Sequence, residues 1–169
     1  INYIGMKKGE REDIQQRLGL TKGNQITPNI ADRACKIIEK YYDGKGFKNA
    51  EVRVDQKEDL SNKNEVIVDI IVNKHEKVKV HKIYIDGNEV LSDGKLKRVM
   101  KKTNEGGNLL KLFSQKKFVT EDYEADKQLI IDKYNELGYR DAQILSDSVV
   151  NYNEKKVDIH APIHVYVED

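Results

Sequence analysis

The side chains with the most chemical reach in this sequence are four histidines, one cysteine and a few carboxylate pairs, and their spacing decides what they can do. His160 and His164 fall on one face of a strand. At about 3.3 Å per residue they stand roughly 13 Å apart, too far to chelate one metal without a third element between them. They read as solvated strand residues, and His75 and His81 lie elsewhere in the sequence. Cys35 sits beside Ala34 between core positions of a helix, with no basic partner evident, which fits a buried inert thiol rather than a nucleophile. Glu58-Asp59 and Glu121-Asp122 lie in a loop and at a helix start, where solvation and the helix dipole account for them. A Gly-x-Ser-x-Gly elbow, a Walker-type phosphate loop and a Cys-x-x-Cys pair are all absent. Lys95, Lys97, Arg98, Lys101 and Lys102 alternate with Leu96, Val99 and Met100, as on the wet face of a half-buried helix. No catalytic residue, metal site or cofactor site emerges, and the chain is expected not to be an enzyme.

Composition agrees with that expectation. Lys+Arg 30 nearly cancels Asp+Glu 29 over 169 residues. A dedicated nucleic-acid binder draws its affinity from clustered basic groups, so that balance disfavours one. A single cysteine excludes an intrachain disulfide, and no run of 18 apolar residues marks a transmembrane helix. The sequence opens at Ile1 inside an apparent strand, so it is expected to be a piece of a longer protein.

The elements that must position any site come in two copies. Ile37 to Tyr42, closing on Gly46-Phe47-Lys48-Asn49-Ala50-Glu51-Val52, is answered by Leu129 to Tyr134, closing on Gly138-Tyr139-Arg140-Asp141-Ala142-Gln143-Ile144, at an offset of 92. Val66 to Ile70 answers Val157 to Ala161 at 91, and Tyr3-Ile4 answers Tyr84-Ile85 at 81. The change of offset places an insertion of about ten residues in the second copy, which the spacing assigns to Thr103–Phe118.

Each copy reads as strand, helix, helix, strand, strand. First strands are expected over 1–6 and 78–86, and paired later strands over 50–56 with 65–73 and 142–149 with 156–167. Ser92 is expected to cap a short helix, with Leu91 stapled against Leu96. Ile14 and Leu18 play the core role in copy one. Thr27-Pro28 opens a longer helix and Thr120 is expected to cap its counterpart, while Gly44, Gly46 and Gly138 stop them. Pro162 interrupts an otherwise alternating strand, so a bulge is expected there. The boundary between copies is expected at 75/76.

With catalysis set aside, main chain remains. If the last strand of each copy is central, the strands before them are edges, whose unpaired amides and carbonyls can take up an extended peptide. The candidate edges are Glu51, Val52, Arg53, Val54 and Asp55, and Gln143, Ile144, Leu145, Ser146 and Asp147. The first shows Glu51, Arg53 and Asp55 outward. The second shows Gln143, Leu145 and Asp147, less charged and more receptive. Leu109, Leu110, Leu112, Phe113 and Phe118 make the insertion too apolar for an idle loop. They either pack across their own unit or contact a partner.

The strand order, the Ile83-x-Ile85-x-Gly87-Asn88 opening and the Tyr134-x-x-x-Gly138-Tyr139-x-x-Ala142 junction together resemble POTRA (polypeptide-transport-associated) domains. Copy one carries the parallel Tyr42-x-x-x-Gly46-Phe47-x-x-Ala50 but opens on Ile4-Gly5-Met6, without a Gly-Asn pair. The resemblance spans essentially the whole chain. The insertion is similar to that of a third domain in such an array, which would make copy one the second. It implies an α+β fold, two tandem β-α-α-β-β units, each with two helices packed on a three-stranded mixed sheet. It further implies a periplasmic location within an outer-membrane protein, and a membrane barrel beyond this fragment. The implied partners are unfolded outer-membrane proteins and accessory assembly lipoproteins, with no nucleic acid.

Two other classes compete with a polypeptide-binding module. A KH-like single-stranded nucleic-acid module shares the element order but needs a Gly-x-x-Gly loop between its helices. Here Gly19 and Gly23 are misspaced and Gly106-Gly107 lacks the pattern. An architectural spacer domain of a secretion or division protein is the third reading.

Overall fold

A computed structural model describes residues 1–106 and 116–165. The chain divides into two compact units, Ile1–His75 and Glu76–Asp169. Both are α+β, with helices over a mixed sheet.

In the first unit, β1 (Asn2–Ile4), α1 (Lys8–Leu18), α2 (Pro28–Asp43), β2 (Glu51–Glu58) and β3 (Val66–Asn73) follow in that order. The sheet runs β1-β3-β2, with β1 parallel and β2 antiparallel to the central strand. Ile14, Ile38, Tyr42 and Ile70 are fully enclosed, and Val52 and Val54 pack against that cluster from β2. Pro28 occupies the first helical position of α2, and the Thr27 hydroxyl accepts from the Ile30 amide at 3.3 Å. Both follow from needing to satisfy or dispense with orphan amides at a helix start.

The second unit repeats the order with β4 (Lys79–Asp86), α3 (Asp93–Val99), α4 (Thr120–Glu136), β5 (Gln143–Ile144), β6 (Ser148–Asn153) and β7 (Lys156–His164). Central β7 pairs in parallel with β4 on one side, and antiparallel with β5 and β6 on the other. Leu91 and Leu96 share its core, as a staple requires. Ser92 makes no side-chain cap bond. Asn88 secures that turn instead, donating to the Leu91 carbonyl at 2.9 Å and the Asp93 carboxylate at 2.7 Å. Helix α4 begins one residue earlier than expected: Val119 is the flanking residue and Thr120 is already helical.

The repeated helix-to-strand junctions are superimposable in their chemistry. The Phe47 amide donates to the Tyr42 carbonyl and the Tyr139 amide to the Tyr134 carbonyl, each at 3.0 Å. The rings of both pairs meet edge-on with centroids 6.1 Å apart. Gly46 and Gly138 turn the chain there at φ of 93° and 95°, where a side chain would be strained.

Strand register corrects one detail of the repeat. Tyr3 pairs with Ile70, and it is Ile85 that pairs with the equivalent Ala161. The structural partner of Tyr3 is therefore Ile85, one residue on from the Tyr84 expected. A slip of one residue exchanges the two faces of a strand. Tyr3 accordingly joins the first core, whereas Tyr84 stands on the open face of the second sheet, stacked on His160 at 4.7 Å.

Candidate functional site

Edge strands form where the alternating pattern buries one face and nothing continues the ladder. Strand β2 meets β3 over its whole length, from Glu51↔Asn73 to Glu58↔Val66, and ends the order of its sheet. Glu51, Val52, Arg53, Val54 and Asp55 all lie on it. Val52 and Val54 turn toward the helices and the core, half-buried. Glu51, Arg53 and Asp55 project to the other face. There the Arg53 guanidinium donates to Asp55 at 3.1 Å and His75 approaches Glu51 at 3.4 Å. A strand added beside β2 would place alternate side chains level with Val52 and Val54, extending the apolar layer. Its other side chains would join the polar face.

That polar face also holds the one carboxylate of the central strand. Asp69 is only 6% exposed, yet it accepts from Asn2 at 2.7 Å and pairs with Lys57. The Lys57 ammonium, followed by the Asn2 amide, holds its carboxyl below the usual range. At the far end of the edge, Asp59 closes the hairpin by accepting from the Ser61 amide at 2.9 Å and the Asn62 side chain at 3.0 Å. The edge is thus pinned at both ends and by its own sheet face.

The second candidate edge differs from expectation. Gln143 and Ile144 do pair with His164 and Ile163, but the strand then breaks. Leu145, Ser146 and Asp147 face only Ala161 and Pro162 before pairing resumes at Ser148↔His160. Ser146 adopts φ 58°, and Asp147 points back to Lys127 on α4 at 3.0 Å. The irregularity expected at Pro162 lies in the strand opposite it. Proline has no N–H to offer, and its carbonyl receives only a long bond from Leu145, 3.4 Å. The longer run of this edge is β6, with Val150 and Tyr152 exposed; the sequence reading missed it by ending the strand at 149.

Phe118, expected as a candidate partner contact, is a core residue. It is 1% exposed, tied by its amide to the Val78 carbonyl at 2.7 Å and set against Tyr123. Its apolar neighbours in the sequence reading, Leu109, Leu110, Leu112 and Phe113, lie outside the described residues. Residues 101–103, just after α3, are anchored by Asp126, wholly buried on α4. Asp126 accepts from the amides of Lys101 at 3.0 Å, Lys102 at 3.0 Å and Thr103 at 2.5 Å. A polar position inside the apolar stripe of Tyr123, Ile130 and Tyr134 was the available signal for it.

The remaining reactive groups have structural partners. His81 pairs with Asp158 at 2.9 Å and stacks on Tyr152. Burial, then the nearby carboxylates of Glu39 and Asp32, push the Cys35 thiol up, away from the thiolate. Among the described residues no three His, Cys, Asp or Glu side chains converge as metal ligands, and no helix is long and apolar enough to cross a membrane.

Two helices on a mixed sheet, twice in tandem, with a continuous outer strand in the first unit and an interrupted one in the second, define a pair of small α+β modules. The POTRA family model, described as a surface antigen variable number repeat, matches residues 1–75 and again 78–166, so the chain belongs to the POTRA family as two tandem domains. The outer membrane protein assembly factor BamA of Neisseria meningitidis serogroup B is 28% identical over 168 residues, 97% of this chain and 21% of that protein. This chain therefore spans about a fifth of the length of that curated relative. Among solved structures, BamA from Haemophilus ducreyi lacking POTRA domains 1–3 matches with a TM-score of 0.64 at 20% identity, over 98% of this chain and 29% of that one. POTRA1–2 of the periplasmic domain of Omp85 from Anabaena matches with 0.62 at 14%, over 99% of this chain and 95% of that one.

Proposed function

We propose that this chain is a periplasmic, non-enzymatic polypeptide-binding module of an outer-membrane β-barrel assembly factor. It receives unfolded outer-membrane proteins by strand addition and docks accessory lipoproteins, and the parent protein meets the membrane through a β-barrel. The relationship to the Neisseria assembly factor supports the setting. The observation that carries the mechanism is the eight-residue β2, paired along one side only among the described residues.

Main-chain pairing suits clients that share backbone chemistry but not side chains. Each added bond contributes only about 1 kcal/mol net, so a short register binds reversibly. Val52 and Val54 supply an apolar margin that favours alternating-hydrophobic segments, the pattern of barrel strands. The Gln143–Ile144 and Ser148–Asn153 edge offers a second, interrupted register.

A titration of the isotope-labelled chain with an alternating-hydrophobic peptide tests this reading. Amides of Glu51–Glu58 are expected to shift, with smaller changes at 143–153. Saturation that moves only the signals of α1 to α4 would overturn it.

A further inference from the structure

The opposite edge of the second sheet carries a feature of its own. Strand β4 is also terminal in its sheet order. Its first half is already covered by the chain: Lys79 bridges antiparallel to Lys117, and Val80 bridges parallel to Glu105. After the irregularity at His81, the ladder partner is replaced by a side chain. The Glu105 carboxylate accepts from the Ile83 amide at 2.8 Å with one oxygen and from Lys97 at 2.8 Å with the other.

Because the Ile83 amide points away from β7, the two-residue period turns the Ile83 carbonyl and both main-chain groups of Ile85 the same way. Among the described residues they face a groove of about 520 Å³ bounded by β4, Asp93 and Lys97 of α3, and Glu105. Among the described residues, no backbone group pairs with this side of Ile85. Glu105 stands where the carbonyl of an added strand would stand.

We propose that the Ile83–Asp86 edge is a second strand-addition site, latched by Glu105, for an extended polypeptide segment that carries an acidic side chain. The incoming carbonyl replaces the Glu105 carboxylate on the Ile83 amide. That exchange strips Lys97, a cation only 27% exposed, of its partner. A carboxylate on the occupant restores the pair, so the site selects an acidic residue at that position. The inference rests on the reading of this chain as a receiver of extended polypeptide, and it concerns an edge distinct from β2.

The test uses the whole chain and two eight-residue peptides of alternating valine and serine, one with a central glutamate and one with a central lysine. Site-resolved amide shifts separate β4 from β2. The glutamate peptide is expected to move Ile83–Asp86. Removing the latch by Glu105→Gln or Glu105→Ala should tighten it there by about tenfold, the weight of one charge-assisted hydrogen bond. Lys97→Met should abolish the preference for glutamate over lysine. Shifts confined to Glu51–Glu58 would overturn the β4 site and leave strand addition at β2 standing. Unchanged affinity at β4 in both Glu105 variants would overturn the latch.

Discussion

Gly5 and Gly87 occupy the same place in their two units. A Cβ on Gly5 would lie 2.1 Å from the Val72 carbonyl oxygen, and one on Gly87 would lie 2.2 Å from that of Ile163. Both adopt positive φ, 82° and 74°. Each glycine lets the end of the first strand run against the central strand, which sets the sheet that presents the outer edges. The missing Gly-Asn pair in copy one is thus a difference in the residue after the glycine, while the glycine itself is kept.

Gly5→Ala and Gly87→Ala are each expected to destabilise their own unit by about 3 kcal/mol or more, combining left-handed strain with displaced backbone. Urea unfolding followed by probes in each unit checks this. A loss under 1 kcal/mol at either site would contradict the close approach.

Asp126 should behave as a structural carboxylate. Asp126→Ala leaves three loop amides without their acceptor, and a loss of about 3 kcal/mol is expected. The amides of Lys101, Lys102 and Thr103 should also exchange faster with solvent. Slow exchange in the variant would show that the loop holds itself.

Glu10 gives the first unit a defined acid sensitivity. Burial alone would raise its carboxyl. The Lys7 amide at 2.9 Å, Lys74 at 3.1 Å and the Tyr42 hydroxyl at 3.2 Å outweigh that and hold it below its ordinary value of 4.5. Its contribution is therefore complete above pH 4.5 and is lost as pH falls through the depressed folded value. Asp69, also lowered, acts in the same direction. Stability measured from pH 7 to pH 2 should fall less steeply in Glu10→Gln than in the parent chain. An identical slope would contradict the assignment.

How much could be read in advance follows from the range of each interaction. The helix-to-strand junctions were legible, because Tyr42, Gly46 and Phe47 interact within a few residues and recur at 134, 138 and 139. The order of strands and the outer position of β2 were legible from periodicity. An irregularity at Pro162 was legible, but its place in the opposite strand was not, because that also depends on Lys127 drawing Asp147 toward α4. Phe118 was open to two readings because an apolar residue in an insertion looks the same whether it meets its own core or a partner. The pairing of Tyr3 with Tyr84 erred by one residue because local likeness outweighed a register set by the central strand.

Phe118 now carries its own expectation. Enclosed at 1% exposure, it should cost about 3–5 kcal/mol on truncation to alanine, read by thermal or urea unfolding of the second unit. A variant of native stability with impaired partner capture would return Phe118 to the surface role.

Hydrogen exchange at β2 tests strand addition most directly, since it reads the main-chain bonds themselves. One alternate set of amides between Glu51 and Glu58 faces outward and should exchange rapidly in the free chain. Saturation with an alternating-hydrophobic peptide is expected to slow that set by at least about tenfold while the inward set stays unchanged. Bound peptide with the outward amides still exchanging freely would contradict the account.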